Sequence, residues 1–390
     1  MAKHAVILTC SFLGTPFAIA VTSLPPFGLG LPHDAHLEQR WDDASWEDTN
    51  RAACTVDKMR IRHDFGCLAP KEREHFTDAI KCLVRKPSQL DQIRYPAASN
   101  RFMDYAIVHV NRTREVHLNG FFLTWHRYFL WLFEEELRNE CGYKGTLPYW
   151  NWPETANDIH TSPVFDGSRF SMSGDGQPRG RKPTVFGPKL TVPHGSGGGC
   201  VFSGPFAGFK ATMKPIPINN LIEGKPLPAN AFEKHSHCLT RDLNEWVARK
   251  WTNHTALEEA LEADSMENFD CLLNGSPGEG DLGLHSGAHF TLGSSAVASN
   301  IYVSAQDPIW YPLHGMLDLM YTSWQLRHPD IADSLWGTET AANQPPSAKV
   351  YLDSCMPDWG VLGAPYGVIK VADLMKTTGG PFCYKYDVEL

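Results

Sequence analysis

The chain has 390 residues, 42% of them hydrophobic, and a formal net charge of −9. This length and composition can bury a sizeable core, in one large domain or two ordinary ones, without the disulfides or metals that small domains need. A nucleic-acid partner would favour a basic surface, so the acidic balance argues against one.

The N-terminus has the pattern of a secretory signal. Lys3 and His4 precede an apolar run that ends at Ala18-Ile19-Ala20, which fits an A-x-A cleavage site. The run is shorter than the roughly 20 residues of a membrane span. We therefore expect residues 1–20 to be removed, the protein to be secreted rather than membrane-bound, and residues 21–390 to form a single domain. An N-terminal anchor is the alternative interpretation.

Secretion affects the interpretation of the cysteines and sequons. Cys10 would leave with the signal, and the nine remaining cysteines, an odd number, would mostly be paired outside the cell. Their connectivity cannot be deduced from the sequence. Three triplets predict N-glycosylation, at Asn111, Asn253 and Asn274.

The hydrophobic periodicity predicts a mainly α fold with long loops and few short strands. The predicted helices, in chain order, are Pro70–Val84, about Asn100–Val110, Arg127–Asn139, about Ala231–Lys250, about Ala256–Leu273, a short helix with His285 and His289, and His314–Leu326. The prolines of 148–153 favour a turn there. Gly and Pro recur throughout residues 156–230, so that stretch is predicted to be loop.

Two groups of three histidines stand out among the 17 in the chain: His109, His117 and His126, and then His285, His289 and His314. The i, i+4 pair of the second group is about 6 Å apart along one helix face and can bind one metal. We expect His109 to end one helix, His126 to begin the next and His117 to lie between them. Imidazole ligands without carboxylate or thiolate favour a pair of copper ions, held inside a central four-helix bundle. A lone histidine is more often a hydrogen-bonded core residue, and His235 and His237 form a further possible metal pair.

The residues around these histidines resemble a known family. His117-Leu-Asn-Gly-Phe-Phe-Leu-Thr-Trp-His126-Arg127 is similar to the first copper motif of the tyrosinase and catechol oxidase family, and Asp307-Pro-Ile-Trp-Tyr-Pro-Leu-His314 to the second. His285-Ser-Gly-Ala-His289 matches the family's H-x-x-x-H, and Tyr384-Lys-Tyr386 resembles the motif that closes its catalytic domain. The resemblance covers residues 54–386 and is closest to the short secreted fungal branch, so we expect no C-terminal shielding domain.

The resemblance implies two copper ions per chain, held by the six histidines, with O₂ and small phenols as substrates and no catalytic side chain beyond the ligands. It also implies that Arg62 pairs with Asp318, although a surface charge is the alternative for Arg62. Trp310 stands where the family usually has phenylalanine. Glu115 stands where many relatives have a cysteine bonded to a ligand histidine, so no such thioether is expected.

Three pocket positions bear on the substrate. Ser286 follows the fourth ligand, where efficient phenol hydroxylators often have an asparagine that orients a water with a nearby acid. Glu279 and Asp281 are candidates for that acid. Ile301 corresponds to a position that can overhang the copper held by the first group, or is a plain core residue, and Phe290 is expected at the pocket mouth.

These residues favour an oxidase that converts o-diphenols to o-quinones while O₂ is reduced to water. The alternatives are a tyrosinase that hydroxylates monophenols efficiently, an oxidase of substituted or methoxylated phenols, a haemocyanin-like oxygen carrier, and an inactive secreted glycoprotein. The sequence leaves the natural phenol and the oligomeric state open.

Overall fold

The structure of the chain, a computed structural model, describes residues 54–186, 188–363 and 367–390. The predicted signal, residues 1–20, lies outside these described residues.

The described residues are mainly helical, as the periodicity predicts. Ten α-helices occur among them: α1 (Pro70–Arg85), α2 (Arg101–Val116), α3 (Phe122–Cys141), α4 (Trp152–Thr155), α5 (Asn219–Ile222), α6 (Glu245–Trp251), α7 (His254–Leu261), α8 (Met266–Asn274), α9 (Leu284–Thr291) and α10 (Trp310–Arg327). None of these helices is both long enough and apolar enough to cross a membrane. The predicted fold class is confirmed.

The strands of the described residues are short, and each belongs to a two-stranded sheet. They are β1 (Arg60–Arg62), β2 (Gly176–Pro178), β3 (Thr184–Phe186), β4 (Leu190–Val192), β5 (Gly198–Val201), β6 (Lys210–Ala211), β7 (His237–Cys238) and β8 (Tyr384–Tyr386). Strand β1 pairs with β8 in parallel, and three antiparallel pairs, β2–β5, β3–β4 and β6–β7, punctuate the long loops.

Local capping explains where several helices begin. Pro70 starts α1, where a missing N–H costs nothing, and Asn100 caps α2 by accepting a hydrogen bond from the Met103 N–H at 3.0 Å. Helix α2 continues past the predicted end to Val116, and therefore His109 lies inside a helix rather than at its end. Helix α3 begins at Phe122, five residues before the predicted start.

Two helix predictions in the second half were wrong. In 231–250 the helix begins only at Glu245, where Asn244 caps α6 by accepting from the Val247 N–H at 3.2 Å, and strand β7 lies before it. The predicted helix 256–273 is two helices, because the Ser265 hydroxyl caps a new one by accepting from the Asn268 N–H at 3.2 Å. Asx and Ser caps compete with the helix interior, and hydrophobic spacing does not register them.

The four elements that carry the six histidines are α2, α3, α9 and α10. Helix α10 packs against α3 and α9, and α2 packs against α3. Helix α10 is buried along nearly its whole length. Helix α9 also lies close to α6, where a side chain at Gly287 would meet the Cβ of Trp251 at 2.6 Å. Because Gly287 has no side chain, α9 can approach α6 this closely.

Three disulfides join pairs of described cysteines: Cys54–Cys383, Cys82–Cys141 and Cys200–Cys238. Cys271 is disulfide-bonded as well. The first lies beside the β1–β8 pair, since Cys383 precedes β8 directly. Cys67 and Cys355 are free thiols on the surface.

Candidate metal centre

The first histidine triad is assembled by two consecutive helices. His109 lies in α2, His117 follows its last residue, and His126 lies in the second turn of α3. All three are almost fully buried, and one ring nitrogen from each lies within 4.8 Å of the others. The extension of α2 brings His117 next to His109, with ring centroids 4.9 Å apart.

Backbone carbonyls determine which nitrogen of each ring faces inward. The Nδ1 atoms of His109, His117 and His126 lie 2.9, 3.1 and 2.7 Å from the carbonyl oxygens of Tyr302, Thr113 and Phe122. A carbonyl can only accept, so each Nδ1 carries the proton and each Nε2 has a lone pair. The Nε2 atoms of His109 and His126 are buried without a protein partner. Such convergent lone pairs are what a metal ion requires.

The second triad joins α9 to α10. The Nε2 atoms of His285, His289 and His314 lie 3.1 to 3.5 Å from one another. His289 is fixed by its Nδ1, which donates to the Ala298 carbonyl at 2.6 Å. The Nδ1 atoms of His285 and His314 are buried without a protein partner, so in these two rings no hydrogen bond fixes the tautomer. The three Nε2 atoms converge on one point, as the ligands of a single metal ion do.

Burial keeps all six imidazoles neutral. Loss of hydration lowers the pKa of every one of these histidines, and for His109 and His289 the pKa falls to about 4. Neighbouring imidazoles lower the pKa further in His117, His126, His285 and His314. Neutral imidazole is the form that binds a metal.

The two triads share a wall of rings. The ring of His126, from the first triad, stacks on the ring of His314, from the second, with centroids 4.9 Å apart. The Trp310 ring also stacks on His314, with centroids 3.8 Å apart. Trp310 also meets His109 edge-on at 5.2 Å. Phe122 lies between His117 and His285. The triads therefore form one dinuclear site rather than two separate ones.

One short loop supports both triads. The Ala298 carbonyl accepts from His289, and the Tyr302 carbonyl accepts from His109. Ile301 lies between these two carbonyls and is half-buried. Nothing in the sequence pointed to Ala298 and Tyr302, because a backbone carbonyl has no side-chain pattern.

The site opens to solvent beside His289. His289 is partly exposed, as are Ser286 and Phe290 on the same helix, whereas the other five histidines are at most 6% exposed. The Ser286 hydroxyl donates only a long hydrogen bond, 3.4 Å, to the Asn274 carbonyl. The Phe290 ring meets Phe186 of the β3–β4 hairpin edge-to-face at 5.0 Å.

The two acids suggested as partners of Ser286 are engaged elsewhere. Glu279 is 61% exposed and pairs with Lys189. The Asp281 carboxylate accepts from the Trp251 indole at 2.8 Å and from the Gly283 N–H at 3.0 Å. Neither has a hydrogen bond to Ser286, so the suggestion that they assist it gains no support.

A buried charge cluster lies one helical turn beyond His314. The Asp318 carboxylate accepts from Arg127 at 2.6 Å, from Arg62 at 3.2 Å, and from the hydroxyls of Tyr384 and Tyr386, both at 2.6 Å. Arg62 is fully buried, which excludes a surface charge, and it also pairs with Glu134 at 3.0 Å. Although burial opposes ionisation, the two guanidinium groups hold the pKa of Asp318 below its usual value.

The remaining predicted positions lie apart from the rings. Glu115 pairs with Arg112 at 2.8 Å, and no cysteine stands in its place. Asn111 is half-buried inside α2, Asn253 caps α7, and the Asn274 amide donates to Asp270 at 2.9 Å. His235 and His237 form no group of three with another potential ligand among the described residues.

The geometry of the site fits a pair of copper ions. Each triad offers three neutral imidazoles and no carboxylate or thiolate, a donor set that suits copper, whereas magnesium and calcium favour oxygen ligands. The two triads together match the dinuclear type-3 arrangement.

Comparison with known proteins agrees with this geometry. Residues 99–327 match the family model described as the common central domain of tyrosinase. The chain is 36% identical to tyrosinase P of Aspergillus terreus over 342 residues, 85% of this chain and 92% of the relative. It is 35% identical to the N-acetyl-6-hydroxytryptophan oxidase ivoB of Emericella nidulans over 350 residues, 86% and 94% of the two chains.

A solved structure shares the fold as well. A mutant polyphenol oxidase from Thermothelomyces thermophila superposes with a TM-score of 0.78 at 31% identity, covering 86% of this chain and 91% of that one. The histidine triads, the family model and these relatives together show that the chain belongs to the tyrosinase family of type-3 copper oxidoreductases.

Proposed function

We propose that this chain oxidises o-diphenols to o-quinones, with His109, His117 and His126 holding one copper ion and His285, His289 and His314 the other. The observation that carries the proposal is the convergence of two all-imidazole triads whose rings stack on each other. Copper bound there would bind O₂ and accept electrons from the diphenol, so that O₂ ends as water. No other side chain is needed as a catalytic group.

The protein's own residues prepare the site in two ways. Carbonyls of Phe122, Thr113, Tyr302 and Ala298 fix four of the rings with Nε2 facing inward, so no reorientation is needed when metal binds. Buried aromatic rings, Trp310 and Phe122 among them, pack against the histidine rings and limit the access of water to them. A phenol ring is expected to enter beside His289, against Phe290 and under Ile301.

Preference for diphenols over monophenols rests on the surroundings of Ser286. Hydroxylating a monophenol requires a group that helps remove its proton near the metal. The Ser286 hydroxyl donates to the Asn274 carbonyl, and Asp281, whose Oδ1 accepts from Trp251 and Gly283, has no hydrogen bond to Ser286. We therefore place diphenol oxidation first and efficient monophenol hydroxylation second.

The second candidate is favoured by the relatives, since one is named a tyrosinase and another an oxidase of a hydroxytryptophan. Substituted phenols belong with this candidate, because the named oxidase acts on a substituted hydroxytryptophan. Reversible oxygen carriage is the remote candidate.

Two measurements test the proposal. Metal analysis of the purified protein should give two copper ions per chain, and a catechol should be consumed with O₂ faster than the matching monophenol. Faster, lag-free turnover of the monophenol would reverse the ranking. Two bound coppers without turnover of either compound would contradict the proposal of an oxidase.

We also propose secretion, with residues 1–20 as the signal, residues 21–390 as one catalytic domain and glycans at the three sequons. Disulfides are typical of secreted proteins, and three join described cysteines. N-terminal sequencing and mass spectrometry of protein recovered from culture medium would test each part.

A further inference from the structure

A single asparagine, Asn300, stands at the middle of the loop that supports both triads. Two residues before it, the Ala298 carbonyl accepts from the ring of His289, and two residues after it, the Tyr302 carbonyl accepts from the ring of His109. The Asn300 side chain is half-buried and forms four hydrogen bonds to backbone groups of described residues. It is therefore placed to determine where both carbonyls lie.

Two of these bonds shape the loop itself. The Asn300 Oδ1 accepts from the Tyr302 N–H and from the Val303 N–H, both at 3.3 Å. Such bonds are common in turns, and alone they would make Asn300 a local turn residue. The Val303 N–H, however, belongs to the same rigid peptide plane as the Tyr302 carbonyl. The bond to Val303 therefore orients the carbonyl that holds His109.

The other two bonds tie the loop to a distant part of the chain. The Asn300 Nδ2 donates to the Ile216 carbonyl at 2.8 Å, and its Oδ1 accepts from the Ile216 N–H at 3.4 Å, 84 residues earlier in the sequence. A side-chain amide can form both bonds at once because it has a donor and an acceptor, whereas aspartate lacks the donor and leucine lacks both. This two-way bond explains why an amide side chain stands here.

The segment that contains Ile216 is itself held in place. Ile216 is 3% exposed and lies between two prolines, whose rings restrict the backbone. In the same segment, the N–H groups of Thr212 and Met213 donate to the Gln306 side chain at 2.7 and 2.9 Å. Both of these residues are buried. The stretch of chain around the triads is thus bonded to a buried segment at two points, Asn300 and Gln306.

The Ala298 side of the loop depends on the same anchor. The short turn Val297–Ser299 includes Ala298 and ends at Asn300, whose N–H donates to the Val297 carbonyl at 3.3 Å. A shift of Asn300 would therefore move this turn on one side and the Tyr302 peptide on the other. Metal–ligand distances tolerate changes of only about 0.2 Å, so small shifts of either carbonyl would matter at the Nε2 atoms.

We propose that Asn300 is a positioning residue for both halves of the metal centre, acting through the Tyr302 carbonyl on His109 and through the Ala298 carbonyl on His289. The proposal rests on the proposed copper site and adds to it the side chain that keeps one ligand of each ion in place. Loss of an outer hydrogen-bond partner of a ligand typically costs about 10–100-fold in metal affinity, so weaker copper binding is the expected consequence.

Asn300→Leu removes all four bonds and keeps a branched side chain of the same number of heavy atoms. Copper affinity, measured by competition with a chelator well below the unfolding transition, should fall about ten-fold or more. Asn100→Leu is the matched control, because this side chain also accepts from the backbone, at the Met103 N–H, but lies roughly 13 Å along α2 from His109.

The control separates positioning from stability. Asn100→Leu should lower the Tm of the copper-free protein, since it removes a helix cap, and should keep wild-type copper affinity. Asn300→Leu should lower both the Tm and the affinity. Wild-type copper affinity in Asn300→Leu, with only the Tm lowered, would overturn the proposal.

Separate backgrounds test the two halves. His285→Ala should leave only the first triad able to bind copper, and His117→Ala only the second, and neither histidine is bonded to the loop. Adding Asn300→Leu should weaken copper binding in both backgrounds, more strongly with the first triad because the Val303 bond acts directly on the Tyr302 peptide. A loss confined to one background would contradict a shared role.

The EPR spectrum of the single copper(II) ion in each background gives a readout other than affinity. It should change when Asn300→Leu is added, because a tilted imidazole alters the ligand field. An identical spectrum in both backgrounds would count against positioning. If the wild-type protein binds no copper at all, the proposed copper site is refuted, and not specifically the role of Asn300.

Asn300→Asp keeps the proposal testable if the leucine variant does not fold. Aspartate retains an oxygen that can accept from Tyr302 and Val303, and it loses the donation to the Ile216 carbonyl. This variant should fold and bind copper more weakly than the wild type, by about five-fold. Wild-type copper affinity in Asn300→Asp would show that the bond to Ile216 does not position the ligands, and the proposal would fail.

Discussion

Replacing Asp318 with asparagine tests whether the buried charge cluster stabilises the fold around the second triad. The carboxylate accepts four hydrogen bonds, two from guanidinium groups that are themselves fully buried. After Asp318→Asn, Arg127 would keep only neutral partners such as the Met375 carbonyl, and Arg62 would keep Glu134. One buried positive charge would then lack a counter-ion.

The expected cost follows from that imbalance. Removing one partner of a buried ion pair destabilises proteins by about 3–5 kcal/mol, because the remaining charge stays desolvated. With an unfolding entropy of about 2.1 cal/mol/K per residue, this corresponds to a Tm lower by about 4–7 °C for the unit Ala52–Leu390. Calorimetry at pH 7 would measure it, with Asp330→Asn, an exposed aspartate, as the control.

The pH dependence of the difference gives a second check. Because the pKa of Asp318 is lowered in the folded protein, its ionised form stabilises the fold above the unfolded pKa of about 3.9. That contribution is lost as the pH falls through the folded pKa. The gap between wild type and variant should therefore be full at pH 7 and narrow below about pH 4. A gap under about 1 kcal/mol, unchanged with pH, would refute the reasoning.

Three further predictions concern the metal centre and its entrance. His289→Ala should leave one copper per chain by metal analysis and abolish catechol oxidation; full activity would remove this residue from the ligand set. Ile301→Ala should raise kcat/KM for 4-tert-butylcatechol relative to catechol about five-fold or more. Ile301 lies between Ala298 and Tyr302, whose carbonyls hold ligand rings, and a shorter side chain there would leave more room for a bulky substituent. An unchanged ratio in paired steady-state assays would place Ile301 away from the substrate. Ser286→Asn should raise the rate of phenol hydroxylation relative to catechol oxidation and shorten the lag, and a lag equal to that of the wild type would count against a role for this position.

Much of the site could be predicted because its chemistry lies in side chains with fixed spacing. The i, i+4 separation of His285 and His289 places both side chains on one face of a helix, and α9 is that helix. The residues flanking His126 and His314 resembled a known pattern, and the structure brings all six histidines together. Arg62 and Asp318 also meet as the resemblance implied.

The parts that could not be predicted depend on the backbone. His109 was expected at a helix end, but α2 continues for two more turns, and no Gly or Pro at that point signals either outcome. The carbonyls of Ala298 and Tyr302 hold two ligand rings, and any residue type could supply them. Small pairs such as β6–β7 also escape detection, since two residues carry too little periodicity.

The loop from Ala298 to Tyr302 has a consequence for how the centre fills with metal. Because a single five-residue segment orients one ring in each triad, displacing it disturbs both halves at once. An ion bound by either triad would hold this segment in place and so lower the ordering cost for the second ion. Copper uptake should accordingly be cooperative, with the half-loaded form scarce at equilibrium.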